Sequence, residues 1–275
     1  MRKPITTTVL LIVPLLLLGL AGVSQAQLVL YDDFNVKPIN PAKWFGSEGQ
    51  FGPGAPNTET TRKIANGQLK IDLTTWGRTD SDSGIAGISA ARLRFSNPTP
   101  ITTIQADVTV KSVKVVGCAF NNTPTRAFAV INGAYFNDGT SPGPGDVTGD
   151  IIGAILKVRD SLAGDRIEAI IWRCTNATCT ILATLASGVF VTPWTKGVAD
   201  TLRLQWDPAN DQFIYTVNPG ANQEVITLAY TVSDTNPSLI NMRQLADNNS
   251  PASCLSGPRT SATMKARFDN VMVNP

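Results

Sequence analysis

The 275 residues of this sequence include no histidine, and its first candidates for acid–base chemistry are carboxylates. The absence of histidine excludes a Ser-His-Asp triad, a Cys-His pair and an imidazole-ligated zinc ion. Glu168 is the strongest candidate carboxylate, since it lies in an apolar stretch and Trp172 follows on the same face of the expected strand. A carboxylate beside a flat aromatic ring could bind a sugar. The alternative is that Glu168 pairs with Lys157 or Arg173 and that Trp172 packs in a core.

Aromatic residues in three other stretches are further candidates for stacking on a sugar ring. Trp76 precedes Gly77 and a polar run, which predicts a position on a rim loop. The full set of candidate ligand-binding residues is Trp172, Glu168, Trp76, Tyr135 and Trp194. Buried aromatic rings commonly dominate hydrophobic cores, so core packing is the competing interpretation of each ring.

The cysteines Cys118, Cys174, Cys179 and Cys254 are an even number, as expected of two disulfides in an oxidising compartment. Three pairings are possible. We favour Cys174–Cys179 with Cys118–Cys254, because the first pair flanks a turn-like stretch between two apolar runs. A zinc site is a weaker interpretation, since the paired C-x-x-C spacing is missing. A catalytic thiol would have no histidine to activate it.

Residues 1–26 have the layout of a secretory signal peptide. Two basic residues precede an apolar run from Val9 to Val23, and Ser24-Gln25-Ala26 offers small residues at the positions that a signal peptidase inspects. An uncleaved anchor helix is disfavoured, because the run is shorter than the roughly 20 residues that a span needs and contains Pro14. We therefore predict cleavage after Ala26 and secretion, either to the extracellular space or to the periplasm.

The charge balance argues against nucleic-acid and membrane partners. The formal net charge is +2, and removal of Arg2 and Lys3 with the signal peptide brings it to zero. A binder of the phosphate backbone needs a basic face, and an anionic membrane surface attracts clusters of basic residues. Hydrophobic residues make up 43% of the chain and charged residues 16%, which excludes a disordered polyelectrolyte.

The chain after the signal peptide alternates between apolar and polar residues with a period of two. From Ile104 to Lys111, four apolar residues share one face and four polar residues share the other. Asn66-Gly67, between two such stretches, predicts a type I′ hairpin. Residues 151–156 and 167–172 are apolar on both faces, as in central strands that are covered on both sides. We predict about a dozen strands in one all-β domain, 27–275, folded as an antiparallel two-sheet sandwich or jelly roll.

Three segments resemble the concanavalin A-like lectin/glucanase superfamily. Tyr31-Asp32-Asp33-Phe34 with Asn40-Pro41-Ala42-Lys43-Trp44 is similar to its opening, Asn66–Ile71 to its early hairpin and Ala266–Val273 to its closing strand. Together they bracket nearly all of the predicted domain. The resemblance implies an antiparallel jelly roll with a concave face that often handles carbohydrate. The superfamily mixes lectins, hydrolases and structural domains, so the resemblance does not by itself imply catalysis.

The acidic cluster of the glucanases in this superfamily is absent. Those enzymes carry E-x-D-x-E or E-x-D-x-x-E on one strand, which aims the acids into one cleft because residues two apart share a face. None of Glu48, Glu59, Glu168 and Glu224 has an acidic residue two positions later. We therefore assign no catalytic residue and favour a secreted, lectin-like carbohydrate-recognising domain that does not catalyse. The alternatives are a glycoside hydrolase or lyase with acids dispersed over the concave face, and a structural or adhesive surface domain.

The resemblance also implies a metal site and a partner. Several superfamily members bind a structural ion where the first and last strands meet, which would involve Asp33 and Asp269. Calcium is the expected metal, because hard cations take oxygen ligands. The loop acids Asp138, Asp146 and Asp150 are a second candidate, for which turn formation through their side chains is the competing interpretation. The expected partner is a glycan or polysaccharide.

Overall fold

The computed structural model is an all-β sandwich of two antiparallel sheets with eight strands each, which confirms the predicted fold class. It describes residues 27–45, 58–77, 89–118, 124–141, 143–252, 254 and 259–274. Helical structure in these ranges is limited to a 3₁₀ turn at Pro208–Asn210. No helix within them is long and apolar enough to cross a bilayer. The predicted signal peptide, residues 1–26, lies outside the described residues.

The first sheet contains the strands with the alternating sequence pattern. Its members are β1 (Val29–Asp32), β3 (Thr58–Ala65), β4 (Gln68–Trp76), β6 (Thr103–Val116), β11 (Ala199–Asp207), β12 (Gln212–Val217), β13 (Glu224–Ala229) and β16 (Ser261–Val273). Their order is β13-β12-β11-β6-β16-β4-β3, and β1 pairs with the last residues of β16. The turn between β3 and β4 has φ of 54° at Asn66 and 69° at Gly67, which confirms the predicted hairpin.

The second sheet contains the strands whose sequences are apolar on both faces, together with one mainly polar strand and several shorter strands. Its members are β2 (Trp44–Phe45), β5 (Ser89–Phe95), β7 (Arg126–Asn137), β8 (Asp150–Asp160), β9 (Gly164–Cys174), β10 (Leu182–Val189), β14 (Asn236–Pro237) and β15 (Arg243–Ser250). Their order is β10-β9-β8-β7-β15-β5-β2, and β14 pairs with β7. Every residue of β7 after Arg126 is buried, and so is every residue of β8 except Arg159. This confirms that the apolar stretches are central strands.

Strand β15 was not predicted from the sequence, because Arg243–Ser250 contains more polar than apolar residues. Its inward polar side chains are buried because they bond to the first sheet. Asn249 Nδ2 donates to the carbonyls of Leu73 at 3.1 Å and Ala262 at 2.8 Å, and Asp247 Oδ2 accepts from the backbone N–H of Ala266 at 3.1 Å. Hydrogen bonds between the sheets thus take the place of apolar burial along this strand.

A single apolar core lies between the two sheets. Trp44, Phe136, Phe213 and Phe268 are among its largest fully buried side chains. Burial of aromatic and branched side chains from both inner faces is the main stabilising contribution in such a sandwich.

Both predicted disulfides are confirmed. Cys118 pairs with Cys254 at a Cα–Cα distance of 5.7 Å, and Cys174 pairs with Cys179 at 4.7 Å. The first bridge closes a long loop of the chain and links the end of the β6 segment to the segment after β15. The second bridge closes the turn that leaves β9.

Candidate functional site

The candidate site is the face of the second sheet that turns away from the first sheet, named the outer face. Leu93, Leu245 and Ile131 lie in register on β5, β15 and β7 and point into the core. Their sequence neighbours point the other way, because side chains alternate along a strand. The outer face therefore carries Ala90, Arg92 and Arg94 of β5, Gln244, Ala246 and Asn248 of β15, Phe128, Val130 and Asn132 of β7, Ala154, Leu156 and Val158 of β8, and Arg166, Glu168, Ile170 and Trp172 of β9.

An apolar strip runs through the middle of the outer face. Its members form one cluster of buried side chains: Phe128, Val130, Ala154, Leu156, Val158, Ile170 and Ala246. Trp172 packs against this strip and is itself half-buried. The more accessible side chains lie on either side of this strip, at Trp172 on β9 and at Arg92 and Arg94 on the β5 flank.

Glu168 and Trp172 share the outer face, as the sequence predicts. Glu168, however, is held between two arginines: Arg126 Nη2 lies 2.5 Å from its Oε2, and Arg166 Nε donates to its Oε1. Asp160, at the end of β8, contacts the same two guanidinium groups at 3.5 Å and 3.3 Å. Two carboxylates and two guanidinium groups neutralise one another, so this cluster is a structural ion-pair network.

The partners that the sequence suggested for Glu168 are engaged elsewhere. Lys157 points into the core, where its Nζ lies 2.6 Å from Asp200 and 2.5 Å from the carbonyl of Val108. Burial lowers the pKa of Lys157, although Asp200 opposes that shift. Arg173 Nε lies 2.6 Å from Asp138. The expectation of an ion pair at Glu168 is therefore correct in kind, but the pairing is with Arg126 and Arg166.

Asp160 is unsuited to act as a general acid. Burial raises the pKa of its carboxyl. Hydrogen bonds from the backbone N–H groups of Leu162 and Ala163, at 2.8 Å and 3.1 Å, and the hydrogen bond and charge of Arg166 lower the pKa and outweigh the effect of burial. The net result is a lowered pKa. A glycosidase general acid needs a raised pKa, so Asp160 does not fit that role.

Three amide side chains of the outer face have unpartnered carbonyl oxygens. Asn132, Gln244 and Asn248 are 6%, 3% and 8% exposed. The side-chain oxygen of each has no hydrogen-bond partner in the described structure. A buried acceptor without a partner costs about 1–3 kcal/mol, so each oxygen requires a donor from an ordered water or from a ligand hydroxyl.

Two arginines stand beside these amides. Arg94 lies directly opposite Gln244, and Arg92 lies opposite Ala246. Arg94 is half-buried, whereas Arg92 is more exposed. Surrounding protein atoms lower the pKa of both guanidinium groups, and the charge of Arg94 lowers the pKa of Arg92 further. The β5 flank of the outer face is therefore basic.

Tyr135 and Trp194, predicted to bind ligand, lie in the core instead. A β-bulge between Ala134 and Phe136 turns both Tyr135 and Phe136 inward. Tyr135 is only 4% exposed, and the Arg243 guanidinium carbon lies 3.7 Å from the centroid of its ring. Trp194 is also 4% exposed, and its Nε1 donates to the carbonyl of Val158 at 3.0 Å. Core packing, the competing interpretation, describes both residues.

Trp76 is the last residue of β4 and not part of a rim loop. Thr75 and Leu73 point into the sandwich, so Trp76 lies on the outward face of the first sheet, where it pairs with Ser261. The strand extends to Trp76 because β16 offers partners as far as Ser261. Trp76 and Trp172 therefore lie on opposite sides of the molecule.

The strands that carry Asp33 and Asp269 meet as predicted, since β1 pairs with β16. The Asp33 carboxylate accepts from the backbone N–H and the side-chain amide of Asn35 at 3.2 Å and 2.9 Å. Asp269 accepts from the N–H of Asn270 at 2.8 Å and from Gln68 Nε2 at 3.3 Å. The residues that the structure describes contain no group of three or more His, Cys, Asp or Glu side chains suited to a metal ion. Calcium at Asp33 and Asp269 stays a prediction.

The acids of the loop between β7 and β8 act as hydrogen-bond acceptors within the protein. Asp138 pairs with Arg173, and Asp146 Oδ1 accepts from the N–H of Thr148 at 2.8 Å. Buried Asp150 accepts from the N–H groups of Leu239 and Ile240 at 3.0 Å and 2.7 Å, which fixes the segment before β15. This agrees with the turn-forming interpretation of the loop.

Sequence reasoning missed the amides and the arginines of the outer face. Gln244 and Asn248 were not identified as site candidates because β15 was not predicted. Arg92 and Arg94 were not identified because their strand shows only an ordinary alternation of apolar and polar residues. One signal was present in the sequence: residues 238–250 contain no glycine or proline, although turns are usually built from them. That absence could have indicated a regular element.

Comparisons with known proteins agree with the fold and are weak in degree. No family model matches the sequence, and no curated protein sequence matches it. Among solved structures, the chain is similar to a GlcNAcα1-4Gal-releasing endo-β-galactosidase from Clostridium perfringens, with a TM-score of 0.42 and 10% identity over 86% of this chain and 61% of that one. Lectin I-B4 from Griffonia simplicifolia has a TM-score of 0.35 and 12% identity, over 89% and 99% of the two chains.

An alginate lyase gives a TM-score of 0.33 and 11% identity over 90% of this chain and 96% of that one. The three structures are thus an endo-β-galactosidase, a lectin and a lyase. The chain spans about three fifths of the endo-β-galactosidase chain. At these TM-scores the similarity carries no inference about activity or ligand.

Proposed function

We propose that this protein is a secreted carbohydrate-binding domain that holds its ligand on the outer face of the second sheet and does not cleave it. The observation that carries the proposal is the set of unpartnered amide oxygens of Asn132, Gln244 and Asn248 on one face. Sugar hydroxyls are dense hydrogen-bond donors, and amide oxygens that are fixed in a sheet accept from them without further ordering.

Trp172 adds the second element of a sugar site. It is half-buried, so one part of the ring is anchored on the apolar strip while another part stays accessible. Aromatic rings stack on the apolar face of a pyranose. The Trp172 indole on β9 and the three amides on β7 and β15 lie on the same outer face, with β8 between β9 and β7. An oligosaccharide that crosses β8 could contact both.

Two further features support a secreted, non-catalytic protein. The disulfides Cys118–Cys254 and Cys174–Cys179 are typical of an oxidising compartment. The outer-face carboxylates Glu168 and Asp160 are both neutralised by Arg126 and Arg166. A group that is committed to two guanidinium partners is a poor nucleophile or proton donor.

The test is a binding assay of the full mature chain on a polysaccharide panel by affinity electrophoresis and calorimetry. The panel contains dextran, xyloglucan, polygalacturonate, alginate and chondroitin sulfate. Trp172→Ala is expected to weaken binding to the retained ligand at least about tenfold, because it removes the stacking surface. Trp76→Ala is the matched control, since it removes the same ring from the opposite side of the sandwich, and it should leave binding unchanged.

Three outcomes would contradict the proposal. Equal loss in Trp172→Ala and Trp76→Ala would place the ligand elsewhere. Release of reducing sugars or of unsaturated products from a polysaccharide, abolished by Glu168→Gln in a variant that keeps its circular dichroism spectrum, would establish an enzyme with dispersed acids. No retention on any member of the panel, or on a glycan array, would favour a structural or adhesive domain.

A further inference from the structure

We propose that the carbohydrate is acidic, and that Arg92 and Arg94 bind its carboxylate or sulfate groups along the β5 flank of the outer face. This inference rests on the proposed function and adds the chemical class of the ligand. It is carried by two like-charged side chains that share one strand face next to buried amides with unpartnered oxygens.

The strand geometry brings the two guanidinium groups to the same side. Arg92 and Arg94 are two residues apart on β5, so their Cα atoms are about 7 Å apart and their side chains emerge from the same face. Leu93 between them points into the core. Two parallel cationic side chains at this spacing suit successive anionic groups of a polymer or both oxygens of one carboxylate.

No described carboxylate forms an ion pair with either arginine. The carboxylate in the same cross-strand row as Arg92 is Glu168, which is four strands away, at roughly 19 Å for the usual strand spacing. Glu168 is already neutralised by Arg126 and Arg166. The charge of the β5 flank is therefore uncompensated by the carboxylates described in this row.

The amides next to the arginines indicate a sugar and not a bare anion. Gln244 lies directly between Arg94 and Asn132 in the cross-strand row, and Asn248 lies four residues further along β15, on the same face. Their unpartnered oxygens accept hydrogen bonds, which sulfate and chloride cannot donate. A uronic acid or a sulfated sugar carries both kinds of group, a hydroxyl for each amide oxygen and an anionic group for each arginine.

The experiment uses the full mature chain and measures Kd by calorimetry at low and at physiological salt for polygalacturonate, alginate, chondroitin sulfate and neutral dextran. Polygalacturonate and alginate carry carboxylates, whereas chondroitin sulfate also carries sulfate groups, so the panel separates the two anionic sources. We expect binding to at least one acidic polymer, weakened by salt, and no measurable binding to dextran.

The variant is Arg92→Gln/Arg94→Gln, for which we expect at least a tenfold rise in Kd for the acidic polymer. Lys111→Gln/Lys114→Gln is the matched control, because it removes the same charge from exposed positions of the first sheet and should change Kd less than twofold. Arg92→Lys/Arg94→Lys keeps the charge but loses the planar guanidinium groups, so we expect a rise in Kd that is smaller than that of the glutamine variant. The lysine variant remains informative if the glutamine variant does not fold.

Equal weakening by the Lys111/Lys114 control and by the arginine variant would overturn the inference, since binding would then follow net charge. Preferential binding of dextran or xyloglucan, unchanged in the arginine variant but lost in Trp172→Ala, would also overturn it while leaving the proposed function intact. Absence of binding to every polymer would contradict both.

Discussion

The outward faces of the two sheets differ in their side chains and in how the polar groups are paired. On the first sheet, charged and polar side chains pair with one another near solvent: Asp72 lies 2.9 Å from Lys70 and 3.0 Å from Arg267, and Arg203 Nε donates to Gln105 at 2.9 Å. On the second sheet, an apolar strip is buried as completely as the core, and the amides around it have oxygens without a partner. The polar groups named on the first sheet are paired with one another, whereas three amide oxygens of the outer face have no partner in the described structure.

This difference is the basis for proposing the outer face as the binding surface. A sheet face that only needs solubility carries self-paired polar residues, as the first sheet does. A face that leaves buried acceptors open costs about 1–3 kcal/mol for each one. Such a cost is tolerated where a ligand or an ordered water restores the missing hydrogen bonds.

The largest expected effect compares the same truncation on the two faces. Leu156→Ala removes a 1%-exposed side chain from the apolar strip and should lower the free energy of unfolding by about 3 kcal/mol. Ile214→Ala removes three carbons from a half-buried side chain of the first sheet, so about 1 kcal/mol or less is expected. Urea denaturation followed by tryptophan fluorescence measures both. Similar losses would mean that the strip is not a second buried cluster in solution.

An intermediate effect compares two carboxylates that each sit between two cations. Glu168→Gln leaves Arg126 and Arg166 beside a neutral amide and should cost about 2 kcal/mol, because the Glu168 side chain is only 9% exposed. Asp72→Asn disrupts the more exposed pairs with Lys70 and Arg267 and should cost about 1 kcal/mol or less. Added salt should shrink the second loss more than the first. If Asp72→Asn lowers the free energy of unfolding more than Glu168→Gln does, the ion pairs of the outer face are not the more stabilising ones.

The smallest effect is one of pH, at two acids with opposite shifts. Burial raises the pKa of Asp247 well above its ordinary value, with only partial opposition from the Ala266 N–H. The unfolded chain loses this proton near pH 3.9, so Asp247 reduces stability as pH rises from there towards its folded pKa. Asp247→Asn should therefore increase Tm at pH 7 and have little effect near pH 3.

Asp160 has the opposite sign and serves as the comparison. Its folded pKa is lowered, so its contribution to stability is present above the unfolded pKa and disappears as pH falls through the folded value. Asp160→Asn should lower Tm at pH 6, and the difference should vanish in strong acid. Scanning calorimetry from pH 2 to pH 8 measures both variants, and two curves of the same sign would refute the assignments.

The sequence predicts the first sheet better than the second, for a physical reason. In β6, β11 and β16 one face packs on the core and the other faces water. Apolar and polar residues therefore alternate along these strands, and the alternation is visible in the sequence. In β8 and β9 the continuous apolar pattern gave the strands but not which side chains face outward. In β15 the inward polar residues are stabilised by bonds to Leu73, Ala262 and Ala266, and no local pattern encodes such contacts.

The candidate site was predicted only in part for the same reason. Glu168 and Trp172 were found together because they are four residues apart on one strand. Tyr135 was misplaced because a bulge, which shifts the alternation by one residue, leaves no clear mark in the sequence. Gln244 and Arg94 are brought side by side by pairing across 150 residues of chain, which only the fold reveals.

The most direct test of the central claim, that the outer face of the second sheet is the binding surface, is NMR of side-chain amide groups during titration. The titrant is a fragment of whichever polysaccharide in the panel binds most tightly. The account predicts that the amide signals of Asn132, Gln244 and Asn248 shift together, while those of Gln105 and Gln205 on the first sheet stay in place. Shifts at Gln105 and Gln205 with none at the three outer-face amides would contradict it.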